Sequence, residues 1–177
     1  FSLDGATLAS GSEDMTAKLW DVASGKQGKD LNKHKGEVNC VAFSADGKLV
    51  VSGSSDMTLQ IFDVTTGARK TRIKVEDSPK FYAAVFLPDG KTLATGGEYT
   101  SGSSPKVQFW DVASGKEAFS IECGGNAISS LGISPDGKTI VAGTRSRELT
   151  LWDIESREEL LTFRGRQYEI WVAFSPD

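Results

Sequence analysis

Among the 177 residues there is one histidine, His34, and there are two cysteines, Cys40 and Cys123. A Ser-His-Asp nucleophile system would therefore have to be built on His34. Its companions in the same repeat, Ser52 and Asp56, suit a structural turn histidine better. Asp21, Asp63, Asp111 and Asp153 could be read as a carboxylate array, but each follows an aromatic or an equivalent residue in the same phase of a repeat. That phase assigns them to turns on one rim rather than to shared acid-base work. The two cysteines make neither a metal quartet nor a disulfide framework. Cys40 lies inside an apolar run, where a free thiol acts as a small hydrophobe. No phosphate-cradling motif occurs, and Gly96-Gly97 and Gly124-Gly125 read as turn glycines. The sequence thus predicts no enzyme, no cofactor and no metal site.

Charged and aromatic side chains in the loops are the better candidates. Arg145 and Arg147 fall in the second-to-third-strand turn of the fourth repeat, Arg164 and Arg166 follow its outer strand, and Lys33, His34 and Lys35 occupy a loop of the same kind. If the array closes on itself, these form a basic arc over consecutive units. Glu76 and Asp77 give the matching loop elsewhere the opposite sign. Guanidinium forks suit carboxylates and phosphates, so the expected partner is a protein or peptide, acidic or phosphorylated. Tyr99, in the Ser/Gly-rich stretch 98–105, is the expected aromatic anchor. Tyr82 and Tyr168 are placed at the starts of inner strands, near a channel mouth. The balance of 20 basic and 24 acidic residues disfavours nucleic acid as the partner.

Positioning such residues falls to a repeat. Trp20-Asp21, Phe62-Asp63, Trp110-Asp111 and Trp152-Asp153 close apolar runs at spacings of 42, 48 and 42 residues. In step with them run Phe1-Ser2-Leu3-Asp4-Gly5, Phe43-Ser44-Ala45-Asp46-Gly47, Phe86-Leu87-Pro88-Asp89-Gly90, Ile133-Ser134-Pro135-Asp136-Gly137 and Phe174-Ser175-Pro176-Asp177. Asp-Gly between apolar runs predicts hairpins with type I′ turns. The second repeat predicts strands at 38–43, 49–53, 58–62 and 68–75. Four such strands make one twisted sheet that cannot bury both faces alone, so neighbours must stack.

The segments Phe-Ser-x-Asp-Gly-Lys, Ser-Gly-Ser-x-Asp-Met-Thr and Leu-Trp-Asp-Val-Ala-Ser-Gly-Lys resemble the WD-repeat family of β-propellers over essentially the whole chain. The resemblance implies an all-β fold of four-stranded antiparallel blades acting as a non-catalytic protein-interaction scaffold. A propeller that positions an enzymatic or signalling domain elsewhere is the alternative. It also implies a blade network of His, Ser or Thr, Asp and Trp. The second repeat comes nearest to it with His34, Ser52 and Asp56, and Phe62 there cannot donate as an indole would. The first repeat keeps Ser10, Asp14 and Trp20, with Gly165 at the histidine position. Asp77 and Gly124 replace the histidine in the third and fourth, where Ser146 takes the turn aspartate's place.

One repeat region spans 1–177, with units near 1–42, 43–85, 86–132 and 133–173, and 174–177 opening a further marker. Residues 6–32 predict three strands that lack an innermost one, and 168–174 predict a spare innermost strand. Three closures stay open: a four-bladed ring, an eight-bladed ring of two chains with exchanged closure strands, and a part of a larger propeller. A start without methionine reads as an excised piece, natural or engineered, of a longer protein. No apolar run approaches the ~20 residues that cross a membrane. Free thiols fit a cytoplasmic or other intracellular compartment.

Overall fold

The described residues form short antiparallel strands joined by turns. The computed structural model describes residues 1–31, 34–75, 79–99, 104–165 and 170–175. The first sheet has three strands, β1 (Thr7–Gly11), β2 (Ala17–Asp21) and β3 (Gln27–Asp30). Three four-stranded sheets follow. The second comprises β4 (Val38–Phe43), β5 (Leu49–Ser54), β6 (Thr58–Asp63) and β7 (Arg69–Lys74). In the third are β8 (Pro79–Phe86), β9 (Thr92–Tyr99), β10 (Lys106–Asp111) and β11 (Glu117–Glu122). The fourth holds β12 (Ile128–Ile133), β13 (Thr139–Thr144), β14 (Glu148–Asp153) and β15 (Glu159–Arg164). Each is an up-and-down meander in sequence order.

Turn chemistry explains the spacing. In the second blade Gly47 N–H donates to the Ser44 carbonyl at 2.9 Å, and the Asp46 carboxylate accepts from Ser44 Oγ at 2.7 Å and Lys48 N–H at 3.0 Å. Gly47 has φ +69°, whereas Asp46 is not in the left-handed region. Type I′ turns, which need positive φ at both central residues, are therefore not what forms. A tight turn followed by a left-handed glycine does the same work, because the aspartate side chain caps the turn. The third-to-fourth-strand turns are equally uniform. Asp21, Asp63, Asp111 and Asp153 each accept a backbone N–H at 2.8 Å, from Ser24, Thr66, Ser114 and Ser156. The four carboxylates are spent on their own turns, as the repeat phase predicts.

Blades stack through three apolar clusters. Ala17, Leu19 and Leu31 of the first blade meet Val50 and Phe62 of the second. Val51, Leu59, Ile61 and Ile73 meet Phe81, Leu93 and Trp110 of the third. Val107, Phe109 and Ile121 meet Ile128, Ile140 and Trp152 of the fourth. Phe62, Phe81 and Phe109 are fully buried, worth roughly 1.5–3 kcal/mol each. Gly96 and Gly97 are not turn residues: they lie inside β9. A Cβ on Gly96 would sit 2.6 Å from Ile128 Cγ2, and one on Gly97 would sit 1.9 Å from the Lys80 carbonyl oxygen. Both are glycine because another strand passes too close for a side chain.

Among the described residues the expected sixteenth strand forms no ladder. Residues 170–175 belong to no sheet, and Tyr168 lies outside the described residues. The segment nonetheless lies on the fourth blade, where Ser129 and Ser130 hydroxyls donate to the Ile170 carbonyl at 3.2 and 2.7 Å. A Cβ on Gly143 would come within 2.4 Å of that carbonyl oxygen, much as one on Gly11 would meet Val38 and one on Gly53 would meet Phe81. The tail thus takes an inner strand's seat without a second strand beside it, and a ladder needs both.

Candidate protein-interaction rim

Connections after second and fourth strands meet on one rim. Lys35 N–H, leading into β4, donates to Asp56 Oδ2 in the β5–β6 turn at 2.7 Å. Asn126 N–H, leading into β12, likewise donates to Ser146 Oγ in the β13–β14 turn at 3.1 Å. Ser146 thereby takes over one role of the aspartate it replaces.

Beneath this rim the second blade holds the most complete polar network. His34 is buried, with Nε2 2.7 Å from Ser52 Oγ and Nδ1 3.1 Å from Asp56 Oδ2. A neutral imidazole with its proton on Nδ1 donates to the carboxylate and accepts from the serine. Burial pulls the His34 pKa down, outweighing the attraction of Asp56. Burial works to raise the Asp56 pKa, but hydrogen bonds from Thr58 and Lys35 N–H, with His34 beside them, bring it below the usual value. Phe62 occupies the indole's place and is fully buried. In the first blade Trp20 Nε1 donates to Ser10 Oγ at 2.8 Å, while Asp14 serves only its own turn through Thr16. In the third, Trp110 Nε1 donates to Thr95 Oγ1 at 2.8 Å, a pair the sequence reading passed over. The register aligns both hydroxyl–indole pairs, since Leu8 faces Trp20 as Leu93 faces Trp110.

The loop residues sort differently from a simple basic arc. Arg145 reaches across the blade boundary. Its guanidinium carbon lies 4.4 Å from the centroid of the Tyr82 ring, and Nη1 is 3.7 Å from Glu98 Oε2. Tyr82 donates its hydroxyl to the same Glu98 oxygen at 3.0 Å. Burial and that hydrogen bond hold the Tyr82 phenol above its ordinary pKa. Arg145 and Glu98 remain 40% and 46% exposed, so the cluster is both fixed and reachable. Arg164 Nε is 3.2 Å from Glu148 Oε1, with the arginine 81% exposed. Arg147 sits at φ +69°, the left-handed turn position that Met15 and Met57 hold in other blades. Lys35 is exposed. Tyr99 does not lie in a loop: its backbone ends β9, paired with Pro79. The long β8–β9 hairpin absorbs part of the extra length of the third repeat. Lys33, Asp77 and Arg166 fall outside the described residues. Among the described sequence candidates, Arg145 and Tyr82 are brought together across a blade boundary. Glu98 went unnoticed as their partner because pairing across blades leaves no local pattern.

Among the described residues, no group of three or more His, Cys, Asp or Glu could hold a metal ion. Burial pushes the Cys40 and Cys123 thiols up to about 12, which leaves them unreactive. No helix among the described residues is long and apolar enough to cross a membrane.

The family described as "WD domain, G-beta repeat" matches residues 1–21, 25–63 and 115–153, more than half of the chain. The chain belongs to the WD-repeat family. The WD match at 25–63 runs from β3 to the end of β6, and that at 115–153 from β11 to the end of β14. Repeat and blade are therefore out of phase, and each of these two matches stitches two blades together. Similar proteins include the nuclear distribution protein nudF of Aspergillus niger, 26% identical over 91% of this chain and 36% of the relative. A WD repeat-containing protein 26 homolog of Arabidopsis thaliana is 30% identical over 90% of this chain and 19% of its own length. Small ribosomal subunit protein RACK1z of Oryza sativa subsp. japonica is 38% identical over 70% of this chain and 35% of its own. The WD repeats here thus span between 19% and 36% of the length of these relatives.

Proposed function

We propose that this chain is a non-catalytic scaffold whose rim, from Lys35 through Tyr99 to Arg145, Arg147, Arg164 and Arg166, binds an acidic or phosphorylated protein segment. The observation that supports this most is the Tyr82–Glu98–Arg145 cluster. Tyrosine and arginine dominate binding energy at protein interfaces, and here the arginine is already oriented by a ring and a carboxylate. Its contact with Glu98, at 3.7 Å, is longer than a charge-assisted hydrogen bond. A phosphate carries more charge and more acceptors than Glu98, so it competes well for the guanidinium. Rigid blades meet the ordering cost before binding. Relatives named as a nuclear distribution protein and a small ribosomal subunit protein support an intracellular scaffold role. A second copy of the chain is a further partner, its tail completing the open first sheet.

The test is an array of acidic dodecapeptides, each phosphorylated and unphosphorylated, probed with the wild-type chain and with Arg145→Glu/Arg147→Glu. Circular dichroism of the variant should match wild type. Binding should fall at least tenfold; equal binding would remove the arginines from the interface. The second reading, a propeller that positions an enzymatic or signalling domain, rests on how little of its relatives' length the chain spans. Flanking sequence decides it.

A further inference from the structure

The inner strands β4, β8 and β12 each carry one extra residue at the same height. Asn39, Tyr82 and Ser129 stand between paired neighbours without a place of their own in the ladder. A bulge of this kind re-aims a side chain. Ser55, Glu98 and Arg145 are likewise one position in three blades, two residues past Gly53, Gly96 and Gly143, which face Cys40, Ala83 and Ser130. In the second blade the bulge residue bonds that position directly, Asn39 Nδ2 donating to Ser55 Oγ at 2.9 Å. In the third, Tyr82 does the same to Glu98 Oε2 at 3.0 Å. There the next blade joins in. Arg145 lays its guanidinium over the Tyr82 ring and holds Nη1 3.7 Å from the oxygen that the phenol already serves. A hydroxyl donor, an aromatic face and a cation thus converge on one carboxylate oxygen. Lys80 stands opposite Glu98 in the ladder and is exposed, which adds a second cation beside the same seat.

We infer that this seat is an anion subsite with Glu98 as its resident occupant, and that the phosphate monoester of a partner segment displaces it. The inference rests on the rim reading and deepens it by naming the ligand as a phosphate rather than a carboxylate. A carboxylate from outside only exchanges one like group for another, and Glu98 has the advantage of its tether. A phosphate brings nearly two charges and three acceptor oxygens. These are enough to take the Tyr82 hydroxyl and the arginine fork together. Leaving costs Glu98 little, because it and Arg145 are both nearly half exposed and exposed ion pairs are weak. Glu98 is therefore a specificity-determining residue: it sets the threshold that an incoming anion must pass. An ordinary staple between blades would add stability and leave anion binding alone.

The test compares the 177-residue chain with Glu98→Gln, Arg145→Gln and the double variant, each checked for folding by circular dichroism. The strongest phosphorylated dodecapeptide of the array is made in three forms, with its phosphorylated residue kept, left unmodified or replaced by glutamate. Wild type should bind the phosphorylated form about tenfold or more above the glutamate form, the worth of one added charge-assisted hydrogen bond. Glu98→Gln should tighten the glutamate form by about fivefold, the upper worth of an exposed ion pair. Once Arg145 is glutamine, Glu98→Gln should change nothing. Inorganic phosphate and acetate, followed through the Arg145 guanidinium resonances, give a reading that needs no peptide: phosphate should shift them in wild type, acetate in Glu98→Gln alone. Peptide binding that Glu98→Gln leaves unchanged would overturn the inference and leave the rim reading standing. Arg145 resonances that phosphate never moves would also overturn it. Phosphate shifts without binding of any peptide would uphold the subsite and remove the peptide reading.

Discussion

At the level of single residues, His34 is the side chain whose environment makes the firmest prediction. Its ordinary pKa of 6.5 is depressed by burial. The unfolded chain therefore takes up a proton as pH falls below about 6.5 while the folded chain resists, and stability declines through that window. Asp56, whose pKa lies below 3.8 when folded, contributes stability that persists above 3.8 and is lost as pH falls further. Urea midpoints measured between pH 7.5 and 3 should show both declines. In His34→Gln the first should vanish and the second remain, with a loss of about 1–3 kcal/mol at neutral pH from the broken network. A first decline that survives in the variant would mean that another group causes it. His34, Ser52 and Asp56 were legible in the sequence because they stand where the WD-repeat resemblance implies a His, Ser and Asp network. The Arg145–Tyr82–Glu98 contact was not, because its members belong to different blades and only packing brings them together.

Strands and turns were the most legible elements. The second repeat's four runs match β4 to β7 within two residues at each end, since alternating apolar patterns and Asp-Gly turns leave little freedom. What local pattern misses is the approach of one element to another. Gly96-Gly97 looks like a turn dipeptide in a string of letters, yet it stands mid-strand where Ile128 and the Lys80 carbonyl press in. Gly96→Ala should cost roughly 1–3 kcal/mol, because Ile128 is β-branched and has few rotamers to retreat into. Chemical denaturation measures it; an unchanged midpoint would show that the third and fourth blades shift apart freely. The tail shows the same limit from the other side. Its composition reads as a strand, but strand character is realised only beside a partner, and within one chain the tail meets the face of the fourth blade instead.

Across the whole molecule, the WD matches at 25–63 and 115–153 each contribute the outer strand of one blade and three strands of the next, and β7 to β10 follow the same pattern, so the three junctions are tied covalently as well as packed. This makes the rim a rigid frame, and short loops inherit fixed positions from it. The opposite rim carries the turn aspartates, each saturated by its own backbone and hydroxyl donors, which leaves them little to offer a ligand. Hydrogen-exchange footprinting with the strongest phosphorylated dodecapeptide of the array tests this polarity most directly. Added protection should fall around Glu98 and the Arg145–Arg147 turn, with the Asp-Gly turns at 46–47, 89–90 and 136–137 unchanged. Protection confined to the Asp-Gly turns, or none on either rim at saturating peptide, would contradict the account.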